Sequence, residues 1–177
     1  MVKDVLVSRP RRIFPRSPWS SSGNTPGDMT DDMQPRSALE PPSEVDAAVE
    51  YVLDRYRVFA VVGASPRPWR PSHGVMQTLI RHGFEVVPVN PTCDEILGRT
   101  CYPDLQSVPT SVGVEVVDIF RRSEHAGRHV DEAIETGAAA VWMQLGVIDE
   151  DAARRARAAG LAVVMDRCPA IELGRRG

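Results

Sequence analysis

Five short apolar runs recur along the second two-thirds of this chain, and their spacing restricts what it can fold into. They are "VFAVV" (Val58–Val62), "FEVVPV" (Phe84–Val89), "VEVVDIF" (Val114–Phe120), "AAVWM" (Ala139–Met143) and "LAVVM" (Leu161–Met165). Each is nearly continuous and rich in β-branched residues, the pattern of a strand covered on both faces. Between them the apolar period lengthens to that of a helix. Ahead of the first run, Val45, Ala48, Val49, Val52, Leu53 and Tyr56 recur at helical spacing. Ser43 is the expected N-cap, with Glu44 and Asp46 as an acidic first turn. Further helices are expected from Ser72 to His82, ending at Gly83, and from Glu124 to Thr136, ending at Gly137. A last helix starts at an Asp149 cap and ends at Gly160. Asn90 to Ser111 reads as loop, with a short strand near Thr100 to Tyr102.

Strands that alternate with helices of about ten residues make βαβ units and a parallel sheet. Right-handed crossovers then give an α/β, doubly wound, Rossmann-like domain of about five main strands. The 177 residues suffice for one such domain, assigned to 43–177. Residues 1–42 are rich in Ser, Pro, Arg, Gly and Asp, without apolar period, and are expected to be a disordered tail. A transit peptide, or a start at Met29 or Met33, remains open for that segment.

Composition narrows the function classes. A net charge of −3 disfavours a general nucleic-acid binder, and no apolar run approaches a membrane span. Three cysteines, Cys93, Cys101 and Cys168, form no CxxC pair and fit a reducing cytoplasm. Ligands of doubly wound sheets bind beyond the carboxyl ends of the strands. There the sequence places Gly63, Ala64, Ser65 and Pro66, with Arg67 and Arg70 in the same loop. Asn90 and Pro91, Arg121 to Ser123, Gln144 to Gly146, and Asp166 to Cys168 follow the later strands. Arginines gathered at strand ends suit a phosphate-bearing ligand. The GxGxxG dinucleotide fingerprint is absent, with Ser65 in place of its second glycine, and the second strand ends "VPVNP" with no acidic residue for a ribose.

Several separated segments together carry a family resemblance. "VVGASPRPWRPSHGV", "GFEVVPVNP", "EILGRTCYPDL", "VDIFRRSE", "AVWMQLGV" and "AGLAVVMDRCPAIE" resemble the standalone CoA-binding protein family. That family is similar to the CoA-binding Rossmann domain of succinyl-CoA synthetase alpha subunits. The resemblance covers Val45 to Glu172 and implies coenzyme A or acyl-CoA as ligand. It implies that Gly63, Ala64, Ser65 and Pro66 contact the phosphates and pantetheine arm, assisted by Arg70 and Ser72. Asn90 and Pro91 would line the nucleotide side. Phe120, Arg121, Arg122 and Ser123 would close over the ligand, and Gln144, Leu145 and Gly146 would floor the pocket. The phosphohistidine domain of the larger synthetases is not matched, so ligase activity is not expected. A non-catalytic carrier, sensor or regulator of CoA pools is the expected role, with no membrane or nucleic-acid partner. An NADP-type enzyme and an interaction module regulated by CoA stand as alternatives.

Other residues invite chemistry. Cys168 lies on the ligand edge, where Arg167 would favour its thiolate if the side chains meet, and a mixed disulfide with CoA would follow. An inert buried cysteine is the competing expectation. His125 and His129, four apart, are expected on a solvated helix face rather than around a metal. His73 is placed to act as a base, to bond a phosphate, to pack as a neutral ring or to cap a helix. Asp166 is expected to pair with an arginine, and Trp142 and Met143 to lie in the core.

Overall fold

The computed structural model describes residues 41–176. The expected tail therefore lies, but for Pro41 and Pro42, outside the described residues. Helix α1 (Val45–Arg55) leads into β1 (Val58–Val62), then α2 (Pro71–Arg81) and β2 (Glu85–Val89). A hairpin of β3 (Glu95–Ile96) and β4 (Arg99–Thr100) interrupts the alternation. A 3₁₀ turn over Thr110–Val112 follows. The pattern resumes with β5 (Val116–Ile119), α3 (Ser123–Glu135), β6 (Ala140–Met143), α4 (Glu150–Ala158), β7 (Ala162–Val164) and α5 (Pro169–Arg176).

The five long strands form one sheet, in the order β2-β1-β5-β6-β7, with every pair parallel. The chain winds outward from β1 to β2, crosses back, and continues the other way from β5. The switch in strand order therefore falls between β1 and β5. Alternate strand residues feed two cores. Val62, Ile119 and Met143 pack with Ala126, Val130 and Ala152 of α3 and α4. Phe59, Val61, Val116 and Trp142 pack with Val49, Met76 and Leu173 of α1, α2 and α5. Trp142 is fully buried, and its indole N–H donates to the Arg167 carbonyl at 2.8 Å. The Phe59 ring meets Phe84 edge-on at 5.2 Å. Burying a side chain of that size is worth about 1.5–3 kcal/mol.

Three local readings are corrected. The α1 N-cap is Glu44 rather than Ser43, and it supplies no side-chain cap. The strand expected at Thr100–Tyr102 is divided: Thr100 closes the hairpin, while Tyr102 bridges in parallel to Val89. Helix α5 was not foreseen. Pro169 opens it, Leu173 is its buried anchor, and Arg176 ties it to Asp54 at 2.8 Å and to Glu50 of α1. Asp149 does cap α4 as expected, accepting from Ala152 N–H at 2.9 Å.

Candidate functional site

At the carboxyl edge of the sheet, around the switch point, the loops surround a cleft of about 960 Å³. Gly63 ends β1 at a φ of 85°, and a Cβ there would stand 2.4 Å from the Phe120 carbonyl oxygen. This glycine is demanded by the adjoining β5 loop, before any ligand is considered. Beyond it, Ser65 Oγ accepts from Arg67 N–H at 3.3 Å and Arg70 N–H donates to the Arg67 carbonyl at 3.0 Å. These bonds and the prolines set a rigid turn with Arg67 and Arg70 exposed along the cleft.

Pro71 occupies the first turn of α2, where its missing N–H costs nothing. Arg70 and Arg122 occupy the N-cap positions of α2 and α3, and neither side chain makes a capping hydrogen bond. A Ser, Asp or Asn would have consumed a first-turn N–H in that position. The first turn of α2, through Pro71 and Ser72, thus borders a basic cleft, and Arg122 brings the start of α3 to its rim. Arg121 Nε is buried without a hydrogen-bond partner. Arg67, Arg70 and Arg121 make no ion pair among the described residues, and Arg122 lies only 4.0 Å from the exposed Glu124.

The β2 end is built differently. Asn90 Nδ2 donates to the Ala64 carbonyl at 2.6 Å, and its Oδ1 accepts from the Thr92 N–H and hydroxyl, both at 2.8 Å. The amide is spent on bracing the β1 loop. At the other end, Gln144 Nε2 donates to Asp118 Oδ1 at 2.6 Å inside β5. Asp118 is fully buried, and desolvation pushes its carboxyl up to about 8, opposed by the Gln144 bond. Its other oxygen has no partner. Sequence reasoning missed this residue, since a lone Asp inside "VEVVDIF" gives no sign of which face it takes.

Most of the expected site residues border this single cleft: Gly63 through Pro66, Arg70, Ser72, Asn90, Phe120 through Arg122, Gln144, Leu145 and Cys168. Pro91, Ser123 and Gly146 do not line it. Ser123 Oγ instead accepts from Ile148 N–H at 3.0 Å, and Gly146 N–H donates to Asp166 Oδ1 at 2.7 Å. That bond, not an arginine, occupies Asp166, which sits at a φ of 57°. Thr92, Val75, Val147 and Ile171 join the lining unforeseen. Val75 and Ile171 arrive through the contact between α2 and α5, which required knowing that α5 exists.

The remaining expectations divide. Arg167 does not face Cys168 as a partner; its guanidinium reaches Asp46 at 3.0 Å and Glu172 at 3.8 Å. Trp142 and Met143 are core residues. His73 is buried outside the cleft lining, with Nδ1 unpartnered. His125 is exposed, but His129 is buried rather than solvated. Its Nε2 accepts from Arg128 Nε at 3.2 Å and its Nδ1 donates to Glu132 at 2.7 Å, the pattern of a neutral ring. Burial lowers its pKa, against the pull of Glu132.

Comparison with known proteins points one way. Residues 57–174 match the family described as CoA binding domain. The chain is 38% identical over 122 residues to the uncharacterized protein YneT of Bacillus subtilis (strain 168), covering 69% of this chain and 89% of that one. Its structure is similar to that of a hypothetical protein from Pyrococcus horikoshii OT3, with 38% identity and a TM-score of 0.69. That match covers 82% of this chain and 98% of the other. The dinucleotide forming acetyl-coenzyme A synthetase 1 of Ca. Korarchaeum cryptofilum is similar at 28% identity and a TM-score of 0.54. There the match covers 62% of this chain and 26% of the synthetase.

Proposed function

The chain belongs to the CoA binding domain family, and from that premise we propose that its cleft holds coenzyme A or an acyl-CoA without turning it over. The observation that carries the reading is the lining: Arg67, Arg70, Arg121 and Arg122 surround a cleft in a chain whose net charge is −3. CoA presents a pyrophosphate and a 3′-phosphate, and guanidinium groups match such oxygens in pairs. The Ser72 N–H in the first turn of α2 adds a donor that needs no side chain. Leu145, Val147 and Ile171, at the β6 and β7 end, offer an apolar surface for the pantetheine arm. The titratable side chains of the lining are arginines and Cys168, a set suited to binding rather than proton transfer. A role as carrier, sensor or regulator of CoA pools follows from binding without chemistry.

Calorimetric titration of the purified protein with CoA, dephospho-CoA and NADPH tests this. A micromolar CoA complex, worth about 8 kcal/mol, is expected. Dephospho-CoA should bind at least about tenfold more weakly, because it forfeits charge-assisted bonds of about 1.5–3 kcal/mol each. Tighter binding of NADPH than of CoA would transfer the site to a nicotinamide cofactor.

A further inference from the structure

Cys93 and Cys101 flank the hairpin of β3 and β4, and their sulfurs lie 3.7 Å apart. The hairpin itself enforces that approach. Leu97 and Gly98 take φ values of 56° and 71°, the left-handed pair of a tight two-residue turn. Glu95 then pairs with Thr100, and Cys101 N–H donates to the Asp94 carbonyl at 2.8 Å, extending the ladder by one rung. The two thiols are thus held by backbone bonds already in place. A disulfide needs the sulfurs at about 2.05 Å, nearer than the 3.7 Å at which they stand. Both cysteines are free thiols in the structure. Cys168, by contrast, follows β7 at the far edge of the sheet.

We propose that Cys93 and Cys101 form a modification site, a dithiol that hydroperoxides oxidise reversibly to an intrachain disulfide. Cys93 is the half-buried member and takes the first step. Its thiolate attacks one peroxide oxygen, the O–O bond breaks, and a sulfenic acid and hydroxide result. The Cys101 sulfur then attacks the Cys93 sulfur, and the S–O bond breaks. The leaving oxygen departs as water with the proton from Cys101. Two thiols lose two electrons and two protons, and the hydrogen peroxide becomes two waters. Burial, reinforced by Cys93, pushes the Cys101 thiol up to about 12. Cys101 therefore stays protonated and waits for the sulfenic acid, acting as the resolving thiol.

The site adjoins the cleft. The Cys101 thiol donates to the Asn90 carbonyl at 3.6 Å, and Cys93 follows Thr92 in the chain. Asn90 is the residue whose amide holds the Ala64 carbonyl. Oxidation removes the thiol hydrogen from that carbonyl and ties the turn to the hairpin base.

The test treats the full chain with hydrogen peroxide, blocks remaining thiols under denaturing conditions, and maps the peptides by mass. The expected result is loss of two of the three thiols, a mass lower by two hydrogens, and a Cys93–Cys101 cross-link that reductant reverses. Cys168→Ser should form the same cross-link, and Cys93→Ser should form none. Retention of all three thiols would overturn the proposal. So would a cross-link through Cys168, or Cys93 carried to sulfinic acid with Cys101 still reduced.

Discussion

Asp118 sits on the central strand, fully buried, with one oxygen bonded to Gln144 and the other to nothing. With its folded pKa pushed up to about 8, the native protein holds this proton where an unfolded aspartate, at about 3.9, has lost it. The native state then binds more protons than the unfolded state, so stability falls as pH rises. The contribution is complete below about pH 4 and is lost on passing upward through about pH 8. The slope in that window is about 1.4 kcal/mol per pH unit. Asp118→Asn keeps a neutral side chain of the same shape at every pH. Urea unfolding of both proteins at acid, neutral and alkaline pH should show near-equal stability in acid and a variant more stable by several kcal/mol in alkali, as an order of magnitude. Parallel pH curves would mean that Asp118 is ionised in the fold.

At the scale of elements, the turns that open α2 and α3 bring arginines to the cleft, while the β2 turn braces it, and mutation should separate these two jobs. Arg121→Ala with Arg122→Ala removes one guanidinium whose Nε has no partner and another whose exposed ion pair is worth close to nothing. CoA affinity should fall about tenfold to a hundredfold, as expected for charge-assisted bonds, with the thermal midpoint of the unliganded protein unchanged. Unchanged affinity would remove both arginines from the site. Asn90→Ala should do the reverse in the unliganded protein. It strands the Ala64 carbonyl and opens the Thr92 turn, lowering stability by about 1–2 kcal/mol in denaturant titration. No loss of stability there would show the amide to be free for a ligand. The sequence pattern disclosed the arginines because loop position and charge can both be read from residue order. It did not disclose the bracing role of Asn90, since that depends on a carbonyl 26 residues away. The five strands were equally legible, their β-branched runs leaving no helical alternative. Helix α5 was not, because "PAIELGRR" has one buried anchor beyond its opening proline and its ion pairs reach back to α1. His129 was misjudged for a related reason: helical spacing puts it near His125 but does not say which of the two faces the sheet.

Over the whole molecule, the fold opposes a modest negative charge to a basic edge. Strand order brings the β1 and β5 loops together at the switch point, and with them two pairs of arginines, Arg67 with Arg70 and Arg121 with Arg122, that lie far apart in sequence. Most other ion pairs run along the outside of the helices, as between Arg155 and Asp131 or Arg154 and Asp151, on side chains open to water. Such exposed pairs contribute about 0–1 kcal/mol each and salt screens them readily. The two sets of charges should therefore respond differently to ionic strength. The screening length shortens from about 10 Å at 0.1 M to about 3 Å at 1 M. Attraction between the cleft and a polyanionic CoA should weaken over that range, lowering affinity by roughly tenfold. Folding stability, resting on the two apolar cores, should barely move. Dephospho-CoA, with fewer charges, should show the shallower salt slope in the same titrations. A CoA affinity indifferent to salt would mean that apolar contacts hold the ligand and that the arginines at the switch point serve something else.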